Sequence, residues 1–171
     1  MYKLQSLRTL IESAVPSLKT NPENLIVMAT GGRAVSTMAG GLSFEYAYTV
    51  AVTVLDYTGH TDALFVPVLA WVRVHQPDLL ENPASQARGI EFKVEPLNTA
   101  AVDIGISVPV TERALVKPDA AHPTRFHIEH PHEPCHPGGQ CLPEHWELWL
   151  KDTMLAEWDL PLPPEQARFD L

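Results

Sequence analysis

Grouped positive charge is missing from this sequence: 12 Lys and Arg are scattered among 21 Asp and Glu, for a formal net charge of −9 over 171 residues. Neutralising phosphates takes clustered cations, so sequence-specific nucleic-acid binding is disfavoured. An acidic balance suits a chain that must stay soluble while waiting for partners. No uninterrupted apolar stretch approaches the roughly 20 residues that a membrane span needs. The opening Met1-Tyr2-Lys3-Leu4-Gln5-Ser6-Leu7-Arg8 has no continuous apolar stretch followed by a small-residue cleavage site, so no secretory signal is visible. The expectation is a chain that folds in cytoplasm, with no membrane partner. Cysteine is scarce: Cys135 and Cys141 both lie in one Pro- and His-rich stretch, which gives no disulfide framework for a core. Phosphate-cradling and nucleophile motifs are missing as well. Gly31-Gly32 and Gly40-Gly41 precede no helix of nucleotide-binding pattern. There is no Gly-x-Ser-x-Gly elbow, and neither cysteine sits in a nucleophile motif. The sequence thus points away from an enzyme and calls for no cofactor.

What is there is 45% apolar, enough for one core of about 100 to 150 residues. Leu4, Leu7, Leu10, Ile11, Ala14 and Val15 share one helical face, with Lys3, Arg8, Glu12 and Ser13 away from it, predicting a helix over 3–15 that stops near Pro16. Leu25 to Ala29, the Gly31-Gly32 pair and Arg33 to Met38 read as strand, interruption and strand. From Phe44 to Val54 every even position is apolar. Counted from Ser43 to Asp56, that strand would run to about 45 Å, where about 20 Å is usual, and should project beyond a small core. Thr61 or Asp62 is a credible N-cap for an apolar helix over 62–76, interrupted at Pro67. Ile90, Phe92 and Val94 form a brief strand. The even positions from Val102 to Val110 open another long strand toward Leu115, with Pro109 marking an edge or bulge.

The fold class expected is α/β or α+β: a mainly antiparallel four- or five-stranded sheet with two helices on one face, a C-terminal Pro/His-rich arm and a β-hairpin. The expected core is Leu7, Ile11, Phe44, Tyr46, Val50, Val52, Leu69, Val72, Ile104 and Ile106. The division is 1–116 for the core, 117–144 for the arm and 145–171 for the hairpin and tail. The arm carries almost no large apolar groups, so it is expected to be dispensable for folding, tested by deleting 121–143. A three-residue loop at Lys151-Asp152-Thr153 would set Trp146, Leu148 and Leu150 against Trp158, Ala156 and Met154, although the lack of Gly there leaves a helix open.

One group looks chemical. His132, Cys135, His136 and Cys141 are of zinc-ligating type, but their spacing fits no zinc finger, and a solvated linker accounts for them more simply. Asp56, His60 and Asp62 could be drawn as an acid, a base and a ligand, yet a turn followed by a helix cap explains them. The aromatic residues Tyr46, Tyr48, Trp146, Trp149 and Trp158 are the candidates for subunit contacts.

Leu18-Lys19-Thr20-Asn21-Pro22, Leu42-Ser43-Phe44-Glu45, Val66-Pro67-Val68-Leu69-Ala70-Trp71 with Gln76-Pro77-Asp78, and Thr111-Glu112-Arg113 resemble, in this order, the tail completion protein R family of temperate contractile-tailed phages. The resemblance covers roughly residues 1–116 and resumes in the Trp-rich C-terminal segment, while the His- and Cys-rich insert departs from it. It implies a virion protein that finishes a tail and supplies no catalytic residues. By analogy with tail terminators, it implies a hexameric ring on the head-proximal end of the tube. The partners would be the tail tube protein, the sheath and neck proteins, with DNA passing non-specifically through the lumen. Assembly would take place in the bacterial host cytoplasm, and a headless tailocin would use the same part. Two rivals stand beside this: a head-tail connector of the same particle, and a metal-binding accessory protein using the insert.

Overall fold

The computed structural model describes residues 1–36, 41–83, 89–122, 124–131, 133–134 and 144–160. Helix α1 (Tyr2–Ala14) buries Lys3, Leu7, Leu10, Ile11 and Ala14, a stripe at spacings of three and four. It stops at Val15 because the residue before a proline is driven out of helical geometry, and Val15 has φ −125° and ψ 87°. Pro16 then opens the short α2 (Pro16–Thr20), where a missing N–H costs nothing. A single 3-10 turn (Pro22–Asn24) leads into the sheet.

Strand β1 (Leu25–Ser36) is continuous where an interruption was expected. The glycines form a bulge: Thr30 pairs with Thr49 and Arg33 with Ala47, so Gly31 and Gly32 together oppose Tyr48. Gly31 has φ +60°, a conformation suited to glycine. Strand β2 (Phe44–Tyr57) pairs antiparallel with β4 (Val102–Pro118) from Phe44 opposite Ala114 to Tyr57 opposite Val102. Strands β3 (Glu91–Pro96) and β5 (Phe126–Glu129) flank opposite ends of β4. The sheet is antiparallel and five-stranded, in the order β1-β2-β4-β3, with β5 also on β4.

Pro109 sits where β4 has a neighbour on one side only. Strand β3 ends at Glu91 opposite Ser107 and β5 begins at Glu129 opposite Leu115, leaving a gap between them. Backbone groups alternate sides along a strand. Thr111 turns its N–H into the gap, so the nitrogen of Pro109, two residues earlier, also faces the gap and no ladder bond is lost.

One face of the sheet carries Tyr48, Val50, Val52, Val54, Ile104, Ile106, Val108 and Val110, all buried. Covering it are α1 and α3 (Asp62–His75). No side chain of Thr61 caps α3; instead the Asp62 N–H donates to His60 Nδ1 at 3.2 Å. Trp71 is fully buried between the layers, and its indole N–H donates to Ser6 Oγ at 3.0 Å. A short α4 (Asp78–Glu81) follows. The other side of the helices is covered by a hairpin of β6 (Glu144–Leu150) and β7 (Thr153–Leu160), whose β7 meets both α1 and α3 through Ala156, Trp158 and Leu160. Two covered sides explain why α3 is apolar almost all round. The exception is Leu69, expected in the core but 45% exposed, because it lies on the arc of α3 that neither layer reaches. Phe44 and Tyr46 are half-buried, beyond the reach of the helices.

The hairpin pairs Trp146 with Trp158 and Leu148 with Ala156 as expected, then shifts: Trp149 opposes Met154 and Leu150 opposes Thr153. The loop is therefore the two residues Lys151-Asp152. Lys151 adopts φ +53°, a strain of about 1 kcal/mol for a non-glycine residue.

Candidate functional site

The most concentrated chemistry lies at the start of α1. Glu112 occupies an even position of β4, on the face that elsewhere carries Val and Ile, and is 1% exposed. Its carboxylate accepts the N–H of Lys3 at 2.9 Å and of Tyr2 at 3.2 Å, and the hydroxyl of Tyr48 donates to it. The first N–H groups of a helix have no intrahelical partner, and α1 has no local side-chain cap. Glu112 is thus a cap supplied from a distant strand, with its negative charge against the positive end of the helix.

The Lys3 side chain is fully buried. Its ammonium donates to Gln76 Oε1 at 2.9 Å and to Glu133 Oε1 at 3.0 Å. This corrects the placing of Lys3 off the buried face: positions 3, 7, 10 and 14 form one stripe, and the lysine belongs to it. Glu133, from the arm, is the counter-ion of this buried cation, which ties the arm to the core. Gln76 Oε1 accepts the Thr111 N–H at 3.0 Å as well, while Gln76 Nε2 donates to Asp78 Oδ1 at 2.6 Å. A side chain thereby stands in for the missing strand in the gap between β3 and β5. His130 Nδ1 lies 3.2 Å from the Arg113 carbonyl in the same gap.

Burial is the first cause of each shift in proton affinity here. It pushes the Tyr2 phenol up to about 12, with the Glu112 charge adding to it. Burial and the bond to Glu112 push Tyr48 far above the usual phenol range. Burial lowers Lys3, against the opposing pull of Glu133. These groups are consumed in one another. The arrangement fixes the geometry of the chain.

Of the residues proposed for subunit contacts, Tyr48 and Trp158 are buried within the subunit, at 4% and 3% exposed. Tyr48 lies where α1 still covers the sheet, and its hydroxyl is committed to Glu112. Trp158 packs in the core parallel to Trp146, ring centres 6.0 Å apart, and its buried indole N–H finds no partner among the described residues. Trp146 is half-buried under the Arg73 guanidinium, 5.5 Å away. Tyr46 stands edge-on to Phe44 at 4.7 Å, at the uncovered end of β2. Trp149 is 52% exposed and opposes exposed Met154 at the hairpin tip, beside Leu150.

His132, Cys135, His136 and Cys141 lie outside the described residues. Among the described residues, no three or more His, Cys, Asp or Glu side chains group in a way that could hold a metal ion. His60 and Asp62 form an exposed turn and cap. Asp119 clamps the loop between β4 and β5, accepting the N–H groups of Ala121 and His122 and pairing with His127 at 2.9 Å. The bond from His127 holds the Asp119 carboxyl below its ordinary value. No helix among the described residues is long and apolar enough to cross a membrane.

The fold and its polar cluster define a small α+β protein whose densest chemistry among the described residues holds the chain together and whose strands outrun its helices. Residues 1–134 match the family described as P2 phage tail completion protein R (GpR). The "Tail completion protein R" of Escherichia phage P2 is 40% identical over 160 residues, 93% of this chain and 99% of that protein. No solved structure matches. This chain belongs to the P2 phage tail completion protein R family. The match runs on through residue 134, past the boundary at 116 expected from the motifs, and takes in Glu133.

Proposed function

We propose that this chain is a structural virion protein that completes a contractile phage-type tail as a hexameric ring on the head-proximal end of the tube, preparing that end for head joining. The observation that carries this reading is the family membership. The shape of the subunit supports it: β2 and β4 run 14 and 17 residues, and their ends at Phe44, Tyr46 and Leu115 are only half-buried. Strand ends without cover are an association hazard unless a neighbour pairs with them. A closed cyclic contact covers each copy and stops by itself. Within the ring, residues 1–116 serve as the core, 117–144 as an arm and 145–171 as a hairpin and tail. Tyr46, Trp146 and Trp149 face neighbouring chains: the tube protein, the sheath or the neck. DNA passes the acidic subunits without specific contact, and assembly takes place in the bacterial cytoplasm.

Electron microscopy of native particles with this chain labelled tests the position. The expected result is label at the head-proximal end of the tail, with particles lacking the chain carrying unfinished tails and no joined heads. Label at the distal end, or normal infectious particles without the chain, would sink the reading. Label in the neck above the tube would favour a connector instead.

A further inference from the structure

The two edges of the sheet are unlike. Strand β3 is guarded by Glu91, Lys93 and Glu95, with Lys93 and Glu95 paired, and by Pro96, the usual protection against edge pairing. Strand β1 has 12 residues, one charge (Arg33) and no proline. Its outer side carries no strand among the described residues. Strand β5 is four residues long and wholly exposed, with Phe126 at 52% and Ile128 at 61%.

Which backbone groups these edges offer follows from alternation along the ladders. On β4, the Thr111 N–H and the Arg113 carbonyl both turn away from β2. Ala47, opposite Thr111, therefore turns its backbone toward β1, where it meets Arg33. Arg33 and Val35 face inward, so Ala34 and Ser36 point their N–H and C=O groups outward. At the other end of β1 the same alternation turns the Leu25 carbonyl outward, where Arg8 takes it at 3.4 Å. By the same steps Leu115 and Lys117 bond to Glu129 and His127, and Phe126 and Ile128 point outward from β5.

We propose that the free edge of β1 pairs with the outer edge of β5 in a second copy of this chain, Ala34 opposite Ile128 and Ser36 opposite Phe126. This rests on the ring reading above and names its contact. Strand directions agree: β1, β2, β4 and β5 are successively antiparallel, so the next copy's β1 meets β5 in the antiparallel sense as well. The register matches all four residues of β5 and brings outward groups face to face. It also sets Arg33 directly opposite Glu129, on the open face of the sheet. Arg33 has no ion pair among the described residues, and Glu129 holds only Lys117, at 2.7 Å. On the other face, small Ala34 receives exposed Ile128. The contact is head-to-tail, since β1 of each copy takes β5 of the next, and such a contact closes into a ring.

Paired cysteines test it. Arg33 and Glu129 would form a non-hydrogen-bonded pair, the closer kind in an antiparallel ladder and within reach of a disulfide. In the full chain with Cys135→Ser and Cys141→Ser, Arg33→Cys and Glu129→Cys together should give a covalent ladder of chain multiples in oxidised, assembled particles. Either substitution alone should leave monomers on the gel. Normal tails with no ladder would overturn the contact and leave the ring reading standing. Dimers from Arg33→Cys alone would show β1 pairing with itself and also overturn it. A ladder in chains located away from the head-proximal end would uphold the contact and sink the ring reading. Independently, Arg33→Glu should cut the particle-bound chain by about tenfold or more, with Glu129→Arg in the same chain restoring it; failure to restore, in a protein with an unchanged circular dichroism spectrum, counts against the pairing.

Discussion

Replacing Glu112 by Gln changes one oxygen to an amide nitrogen on a side chain that is 1% exposed. The Lys3 N–H and the Tyr48 hydroxyl both use Oε1, and the Tyr2 N–H uses Oε2. A glutamine can keep its single oxygen toward the first two, which then turns an NH₂ against the Tyr2 N–H. One bond to a charged acceptor is lost, at about 2 kcal/mol, and two fall from charged to neutral strength, at about 1 kcal/mol each. The sum, about 4 kcal/mol, is a large part of the roughly 5–15 kcal/mol that keeps a domain folded. For a chain of this length each kcal/mol moves Tm by about 2–4 °C, so a drop of about 8–16 °C is expected. Thermal unfolding followed by far-UV circular dichroism measures it. Tyr48→Phe removes one donor only and should cost about 1.5 kcal/mol. A fall of less than about 3 °C in the glutamine variant would mean that the carboxylate does not cap α1 in solution, and the account of this cluster would fail.

Glu133→Gln strands the Lys3 cation and should cost about 3 kcal/mol, whereas Lys3→Met with Glu133→Gln should recover most of that loss, because an apolar replacement of a buried pair is often neutral; urea unfolding of the two variants decides. Deleting 121–143 should lower the thermal transition, since it removes Glu133, His130 and β5 together; an unchanged transition would show that the arm bears no part of the fold. In alkali, Tyr2, Tyr48 and Tyr57 all hold their protons above the ordinary phenol value. Above pH of about 10 the folded chain therefore retains protons that the unfolded chain has released, and stability falls as pH rises. Lys3, shifted down from 10.5, works in the opposite direction but is one group against three. Phenolate absorbance should show three of the chain's four tyrosines ionising only together with unfolding; free titration of all four in the folded protein would contradict their burial.

Alternation carried most of the sheet into view. Val50, Val52, Ile104 and Ile106 fall on the buried face because β2 and β4 keep a strict period of two, and Pro109 marked the unpaired stretch of β4. The same rule held the clue to the polar cluster. Glu112 sits at an even position, so a carboxylate had to point among valines, and Lys3 lies four residues before Leu7 on the stripe of α1. Hydrophobic patterning alone discards both as exceptions, because it reads charge as solvent-facing. What a buried charge is paired with depends on contacts 73 to 130 residues apart in sequence, such as Lys3 with Gln76 and Glu133, and no local pattern encodes those. Lys151 is the opposite case: its turn was obscured because a lysine stands where glycine would have signalled positive φ.

The motif blocks meet in space, and that bears on assembly. Gln76 and Asp78 from one block, Thr111 and Glu112 from another, join the start of α1 through Lys3. Ser43, from a third, accepts the Val116 N–H at 2.9 Å, and Ser36 donates to the Ser43 carbonyl at 3.0 Å, tying the far ends of β1 and β4 to the start of β2. These bonds hold the part of the sheet that the helices do not cover. Strand β5 is too short to persist alone, and it is kept on β4 by the Asp119 clamp on one side and by His130 and Glu133 on the other. Association costs less free energy when the contacting elements are already ordered, because the ordering entropy is met in the monomer. The polar cluster around Lys3 and Glu133 thus bears on the strand edge that the proposed pairing uses. If β1 pairs with β5 of a second copy as proposed, loosening Lys3 or Glu133 should weaken that pairing even where the fold survives, because β5 is held through them.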